Sequence, residues 1–440
     1  MTTIEEKLLP RAGSRRQLLA MAVAFAVTIP GVATRLADAH FPDPLMALIF
    51  GSAIVGAAFL LSWAAEAAQV DVSRGLAIAA LALIAVLPEY AVDVVFAIKG
   101  GNSYEEFGRS CPSPESGGES PCSLALANMT GANRLLIGIG WSVVVFIAWR
   151  RYRKQGEPEK AREVKLARTH AVELAFLAIA TVFSLTLPLF SSIGPVHAVI
   201  LVGIFVAYTI RISGAPAEEP HLVGPARLVG ELPKTRRRPS VIALFVVAAA
   251  LILLTAEHFA EALVGTGKSF GISEFLLVQW LAPLASEAPE LLVAIIYAWR
   301  LNTNAGLGTL VSSKVNQWTL LVGTLPVAFA IAASGLHGLP IDAHQREELF
   351  LTAAQSAFAV AILVNLSMSV REAGLVLGLF LFQFIAGAVG PASVHGPVRI
   401  VTGIAYLVLA AGWLVKNRRE LGPLFRDGLR SPYEQLQDAS

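Results

Sequence analysis

Charge is the first thing this sequence has little of. Asp, Glu, Lys and Arg make up only 15% of its 440 residues, against roughly 25% in an ordinary soluble domain. That shortage excludes a water-facing globular surface over most of the chain. The net charge of +2 is too small to argue for nucleic acid, and the basic residues sit in loops rather than on one face. A small-residue cleavage site is missing after the basic start with Arg11, Arg15 and Arg16, so the expectation is an N-terminus with no cleavable signal. Histidines number only eight. The string Glu257-His258-Phe259-Ala260-Glu261 has one histidine where a metalloprotease needs His-Glu-x-x-His. Asp-rich motifs beside the basic loops are also missing, which argues against a lipid-phosphate enzyme. An enzyme is therefore not expected, and neither is a cofactor.

What the chain has is apolar sequence. Hydrophobic residues reach 55% and the mean hydropathy is +0.63. Runs of about 18 or more apolar residues read as bilayer-spanning helices. They fall at Leu18–Leu36, Leu45–Ala68, Gly75–Ile98, Ser123–Trp149, Ala171–Phe190 and Pro195–Ile210 in the first half. The second half gives Val241–Val264, Ile272–Trp299, Ala305–Ala333, Leu349–Leu366, Gly374–Val389 and Val398–Val415. The expected class is an all-α integral membrane protein of about twelve helices. Lys and Arg cluster in the N-terminus, in the loops Arg150–Arg168 and Arg211–Pro239, and in the tail at Lys416, Arg418 and Arg419. With twelve spans all four fall on one side. The positive-inside rule makes that side the cytoplasm, with both termini there, in a plasma (inner) membrane. The loop holding Cys111 and Cys122 then lies outside, where a disulfide between them is favoured.

The basic linker splits two similar halves. Ala65-Glu66-Ala67 leads to a span interrupted by Leu87-Pro88-Glu89, and Ala260-Glu261-Ala262 leads to one interrupted by Ala288-Pro289-Glu290. Each is followed by a segment with a hydroxyl three residues before an Asn, Thr130/Asn133 and Ser313/Asn316. An odd number of spans separates the copies, so they are inverted, as in secondary transporters. The expected organisation is two inverted five-helix repeats with one extra helix at each end. Residues 1–43 form the N-terminus and first extra helix, and 44–210 the first repeat. Residues 211–240 form the linker, 241–390 the second repeat, and 391–440 the last helix and tail. The most similar parts are about 44–149 and 241–333.

Glu89 and Glu290 each follow a proline near the middle of a span. A carboxylate at that depth needs a partner, a proton or a ligand, and the proline frees a carbonyl one turn back. Together they offer a hard cation the oxygens it prefers. Asn128, Asn133, Asn316 and Gln317 add amide oxygens, and Thr130, Ser286 and Ser313 add hydroxyls. Amides in membrane helices can equally serve as helix–helix glue. Asp93, four residues after Glu89, and Glu287, three before Glu290, share their helix faces. With Lys314 they are candidate proton or charge partners. Glu66, Glu257, His258 and Glu261, near span ends, either form a proton path or snorkel to headgroups.

The two Pro-Glu breaks, each followed by a Gly/Asn/Ser helix, resemble the alpha-repeats of the calcium/cation antiporter superfamily, the sodium/calcium exchanger-like membrane proteins. The resemblance covers roughly Leu45–Trp149 and Val241–Ala333. It implies Ca²⁺ ligation by Glu89 and Glu290, completed by Asn128 or Asn133 and by Ser313 with Asn316 or Gln317. The sodium-coupled members place Gly-Thr-Ser before Leu-Pro-Glu, whereas here the stretches read Ala85-Val86-Leu87 and Ala285-Ser286-Glu287-Ala288. Ser312-Ser313-Lys314-Val315-Asn316 looks more like the proton-coupled branch. The resulting expectation is a secondary-active antiporter exchanging Ca²⁺ for H⁺ or Na⁺ by alternating access, its partners being lipid and small inorganic cations. A Na⁺/H⁺ exchanger using the same carboxylates is the alternative, and an intramembrane enzyme a distant one.

Overall fold

The computed structural model describes residues 12–71, 87–112, 119–215, 222 and 224–437. They fold as helices. The first span is two stacked helices, α1 (Ala12–Ala26) and α2 (Ile29–Leu36), followed by α3 (Asp43–Ala68) and α4 (Leu87–Phe107). Then come α5 (Pro121–Lys154), α6 (Ala171–Ser184) and α7 (Pro195–Ser213). The second half runs through α8 (Lys234–Phe270), α9 (Glu274–Ser286), α10 (Ala288–Trp299) and α11 (Thr303–Ala332). It ends with α12 (Ala343–Leu363), α13 (Val370–Val389), α14 (Ala392–Lys416) and the short amphipathic α15 (Arg418–Leu429).

Among the described residues nine helices are long and apolar enough to cross a membrane, and the bent pair α9–α10 makes up to ten. Helices α4 and α12 occupy the places of the expected third and tenth spans. Both carry several ionisable residues, including Glu89, Asp93 and Lys99 in one and Arg346, Glu347 and Glu348 in the other, so hydropathy alone does not count them. The first part of the expected third span, 75–86, lies outside the described residues.

The breaks and bends follow from local chemistry. Between α9 and α10 the axis turns by 56°. Pro289 is the second residue of α10, where its missing N–H costs nothing but where it cannot extend α9. Helix α4 likewise has Pro88 as its second residue. Helices α5 and α11 each swell into a π-turn, at Leu136–Trp141 and Gln317–Leu321, just beyond Asn133 and Asn316. Such bulges recur at functional sites because they turn the following residues out of the helical register.

Contacts between the two halves exchange partners. Helix α10 packs on the first part of α11 and the second part of α5. Helix α4 packs on the first part of α5 and the second part of α11. Helices α3 and α8 lie against each other, with Gly51 leaving room for the Phe259 ring. At Gly131 a Cβ would fall only 1.6 Å from the Gln279 carbonyl oxygen, so α5 and α9 approach backbone to backbone. Helices α5 and α11 are the centre, with 78% and 67% of their apolar windows buried, whereas α7, α13 and α14 reach only 22%. Those three form a perimeter whose exposed Val199, Ile210, Val389 and Val408 suit lipid.

Loops are tied in pairs. Glu163–Lys165 pairs antiparallel with Ser367–Ser369, and Ser192–Ile193 with Leu339–Pro340. Cys111 and Cys122 are joined by a disulfide, which fastens the chain after α4 to the start of α5. Asp71, just past α3, takes a bidentate ion pair from Arg237 at 2.7 and 2.8 Å, fixing the end of α3 to the start of α8. The Arg237 hydrogen bond, with Arg238 and Lys234 nearby, holds the Asp71 carboxyl below the usual range. A carboxylate depressed by folding stabilises above its unfolded value, near 3.9, and loses that effect as pH falls through its folded value. Asp71→Asn is therefore expected to lower the thermal midpoint at pH 7. The gap from wild type should close below about pH 4 in a melting series.

Candidate cation site at the helix breaks

Two carboxylates, one from each half, meet on a single amide. The Gln317 side-chain nitrogen, at the π-turn of α11, donates to Glu89 Oε1 at 3.0 Å and to Glu287 Oε1. Glu89 lies in the first turn of α4, and Glu287 at the break between α9 and α10. Glu89, Glu287 and Gln317 are 4%, 2% and 0% exposed. One helical turn past Glu89, Asp93 accepts from the Asn128 amide at 2.7 Å, and both are fully buried.

What distinguishes this region is which atoms are left over. Among the described residues, six buried carboxylate and amide oxygens on these elements receive no hydrogen bond: Asp93 Oδ2, Asn128 Oδ1, Glu287 Oε2, Glu290 Oε2, Asn316 Oδ1 and Gln317 Oε1. Buried polar atoms are almost always satisfied, and an orphaned acceptor costs about 1–3 kcal/mol. Six of one kind, all oxygen, match in type and number what a hard cation takes, six to eight oxygens. Among the described residues no three His, Cys, Asp or Glu side chains stand together as a ready-made metal cluster. A cation here would draw on amide as well as carboxylate oxygens.

The other residues picked from sequence take different positions. Lys314 is fully buried, donates to the Asn133 carbonyl at 2.7 Å and to its side-chain oxygen, and stands 5.3 Å from the Trp318 ring centre. Its ammonium therefore occupies Asn133. Ser286 turns its hydroxyl back to the Ala282 and Pro283 carbonyls at 3.2 and 3.3 Å. Thr130 accepts from Gln279 at 3.3 Å, one turn from Asn133 on α5. Ser313 is half-buried. Glu261 pairs with Lys99 at 2.9 Å and with His258 at 3.5 Å, a partly exposed cluster away from the break.

A second charged group beside this centre is not evident from sequence. Arg134, buried in the middle of α5, pairs with Glu348 of α12 at 2.6 Å and donates to Gln383 at 3.0 Å. Glu348 also accepts from Gln279 at 3.0 Å and faces Arg399 at 3.3 Å. An arginine inside an apolar span was the one available signal. Its partner, in the charged first turns of α12, gave none.

Apolar spans, one of them broken at Pro289, with carboxylates of both halves meeting at a buried centre, define a membrane cation antiporter rather than an enzyme. The family model described as sodium/calcium exchanger protein matches residues 43–213 and 240–415, and the chain belongs to that family. Among solved structures it is similar to the H⁺/Ca²⁺ exchanger CAX, at 40% identity and a TM-score of 0.84, covering 97% of this chain and 99% of that one. It also shares its fold with native YfkE, at 14% identity and a TM-score of 0.57 over 89% of this chain and 100% of that one. A search of the curated proteins finds no match. The matched family and structures give Na⁺/H⁺ exchange no support.

Proposed function

We propose that this protein exchanges Ca²⁺ for H⁺ across the plasma membrane by alternating access, with both termini in the cytoplasm. The observation that carries the reading is the convergence of Glu89 and Glu287 on Gln317. Two neighbouring buried carboxylates need positive charge between them. Ca²⁺ supplies it in one half of the cycle and protons in the other, so the two occupants exclude each other and exchange follows. Asp93, Glu290, Asn128 and Asn316 complete the oxygen set, and the orphaned atoms on all four support that role. The 40% identity to an H⁺/Ca²⁺ exchanger supports the choice of both ions.

In this reading residues 44–210 and 241–390 are the inverted repeats that rock about the centre. Residues 1–43 and 391–440 add the extra helices, and 211–240 the cytoplasmic linker. Lys314 is a resident charge that holds Asn133 out of the ligand set and reduces the net negative charge of the site. The test is uptake of ⁴⁵Ca²⁺ into everted membrane vesicles under an imposed pH or Na⁺ gradient. Uptake driven by the pH gradient alone is the expected result. Uptake that follows only the Na⁺ gradient, or none under either, overturns it.

A further inference from the structure

On the side that the proposed topology makes cytoplasmic, a second buried polar line runs from α6 and α7 to α11. Glu173, in the first turn of α6, is only 8% exposed, and its Oε2 receives no hydrogen bond among the described residues. Three residues earlier, His170 places Nδ1 3.7 Å from Glu173 Oε1. The His170 ring is seated directly on α11, where a Cβ at Gly308 would fall 2.3 Å from its Cε1. One turn along α11 from Gly308, Ser312 meets the Tyr208 hydroxyl of α7 at 3.1 Å. Tyr208 is buried and packs on Phe176, which lies three residues after Glu173 on α6. Four residues beyond Ser312 on the same helical face is Asn316, whose Oδ1 is among the orphaned oxygens of the cation centre.

An apolar span does not hold a carboxylate at its buried end without a use for it. This one belongs neither to the cation centre nor to the Arg134–Glu348 pair. The charged groups around it are consistent with a mouth on the cytoplasmic side. Arg168 pairs with Asp427 of α15, and Arg211 stands 4.7 Å from the Tyr433 ring centre and donates to the Gly428 carbonyl at 3.0 Å. Tyr433 also lies within the field of Glu173. The C-terminal segment thus covers the line from the cytoplasmic side.

We propose that Glu173 is the cytoplasmic proton-loading carboxylate of the exchanger, and that Tyr208 and Ser312 hand the proton on to the centre. This inference rests on the proton-coupled reading given above. Glu173 takes a proton from water at the mouth. The Tyr208 oxygen receives that proton as its own hydrogen passes to Ser312 Oγ, and the Ser312 hydrogen passes on, beyond Asn316, to a carboxylate of the centre that Ca²⁺ has left. No proton is gained or lost along the way, and each hydroxyl ends as it began.

The test compares two modes of transport in proteoliposomes holding the full chain. Calcium uptake driven by a pH gradient needs the proton, whereas exchange of ⁴⁵Ca²⁺ for unlabelled Ca²⁺ does not. Glu173→Gln is expected to reduce the pH-driven mode by roughly tenfold or more while Ca²⁺/Ca²⁺ exchange stays near wild type. Glu173→Asp should restore part of the loss. Tyr208→Phe keeps the ring packing on Phe176 and carries the same expectation if the glutamine variant does not fold. Equal loss of both modes in Tyr208→Phe, or no loss in either variant, overturns the route and leaves the exchange reading standing. A wild type that performs Ca²⁺/Ca²⁺ exchange but ignores the pH gradient overturns the proton-coupled reading, and the route with it.

Discussion

Glu287→Gln is expected to abolish gradient-driven Ca²⁺ uptake, with a loss of about a hundredfold or more. Replacing the carboxylate by an amide removes one full negative charge from a centre that contributes two to the Gln317 amide. It also sets an amide donor against the Gln317 amide donor. A hydrogen bond to a charged group is worth about 1.5–3 kcal/mol, and each 1.4 kcal/mol is tenfold in affinity, so a hundredfold loss is the scale for one charged ligand. Glu89→Gln should behave alike, since its carboxylate takes the other half of the same donor. Glu290→Gln is the informative contrast. Sequence pattern makes Glu290 the counterpart of Glu89, but the Gln317 amide meets Glu287, and Glu290 contributes one orphaned oxygen. A smaller loss in Glu290→Gln than in Glu287→Gln, read as initial ⁴⁵Ca²⁺ uptake across a Ca²⁺ series, is the expected order. The reverse order would move the centre onto the proline-adjacent glutamates.

Glu348→Gln is expected to cost about 3–5 kcal/mol of stability, the usual penalty for stranding a buried charge. Arg134 is 1% exposed and takes its ion pair from Glu348 at 2.6 Å. With that carboxylate gone, the guanidinium keeps neutral partners, including the Gln383 oxygen at 3.0 Å and the Trp280 face 4.9 Å from its carbon, but loses its paired negative charge. Thermal unfolding in detergent should show a marked drop in midpoint. The double variant Arg134→Met with Glu348→Leu should recover most of it, because with both members of the pair removed neither is left as a stranded charge. A double variant as unstable as the single one would show that packing, not the ion pair, is what Glu348 supplies.

The two Pro-Glu motifs were legible in the sequence because proline and a mid-span carboxylate are each costly in a membrane helix, and the break is seen at Pro289. Lys314 was legible as an anomaly for the same reason. Its role was not. The pattern left open whether it neutralises a carboxylate, but the fold gives its ammonium to Asn133, which sequence had counted as a ligand. Sequence made Glu290 a ligand and Glu287 a charge partner, although three residues apart on a helix point to nearly the same face. The 56° turn at Glu287 is what separates them.

Sequence by itself determined the class of this protein: a helical membrane antiporter built from two related halves. Hydropathy, charge placement and the doubled Pro-Glu motif are local properties, set by what lipid tolerates residue by residue. Only the tertiary structure decided which oxygens are left without donors, which carboxylates share Gln317, and that Arg134 finds Glu348 more than two hundred residues away. Those are properties of pairs distant in the chain. Helix packing selects them by burying some polar atoms against partners and others against none, and no local pattern records that choice.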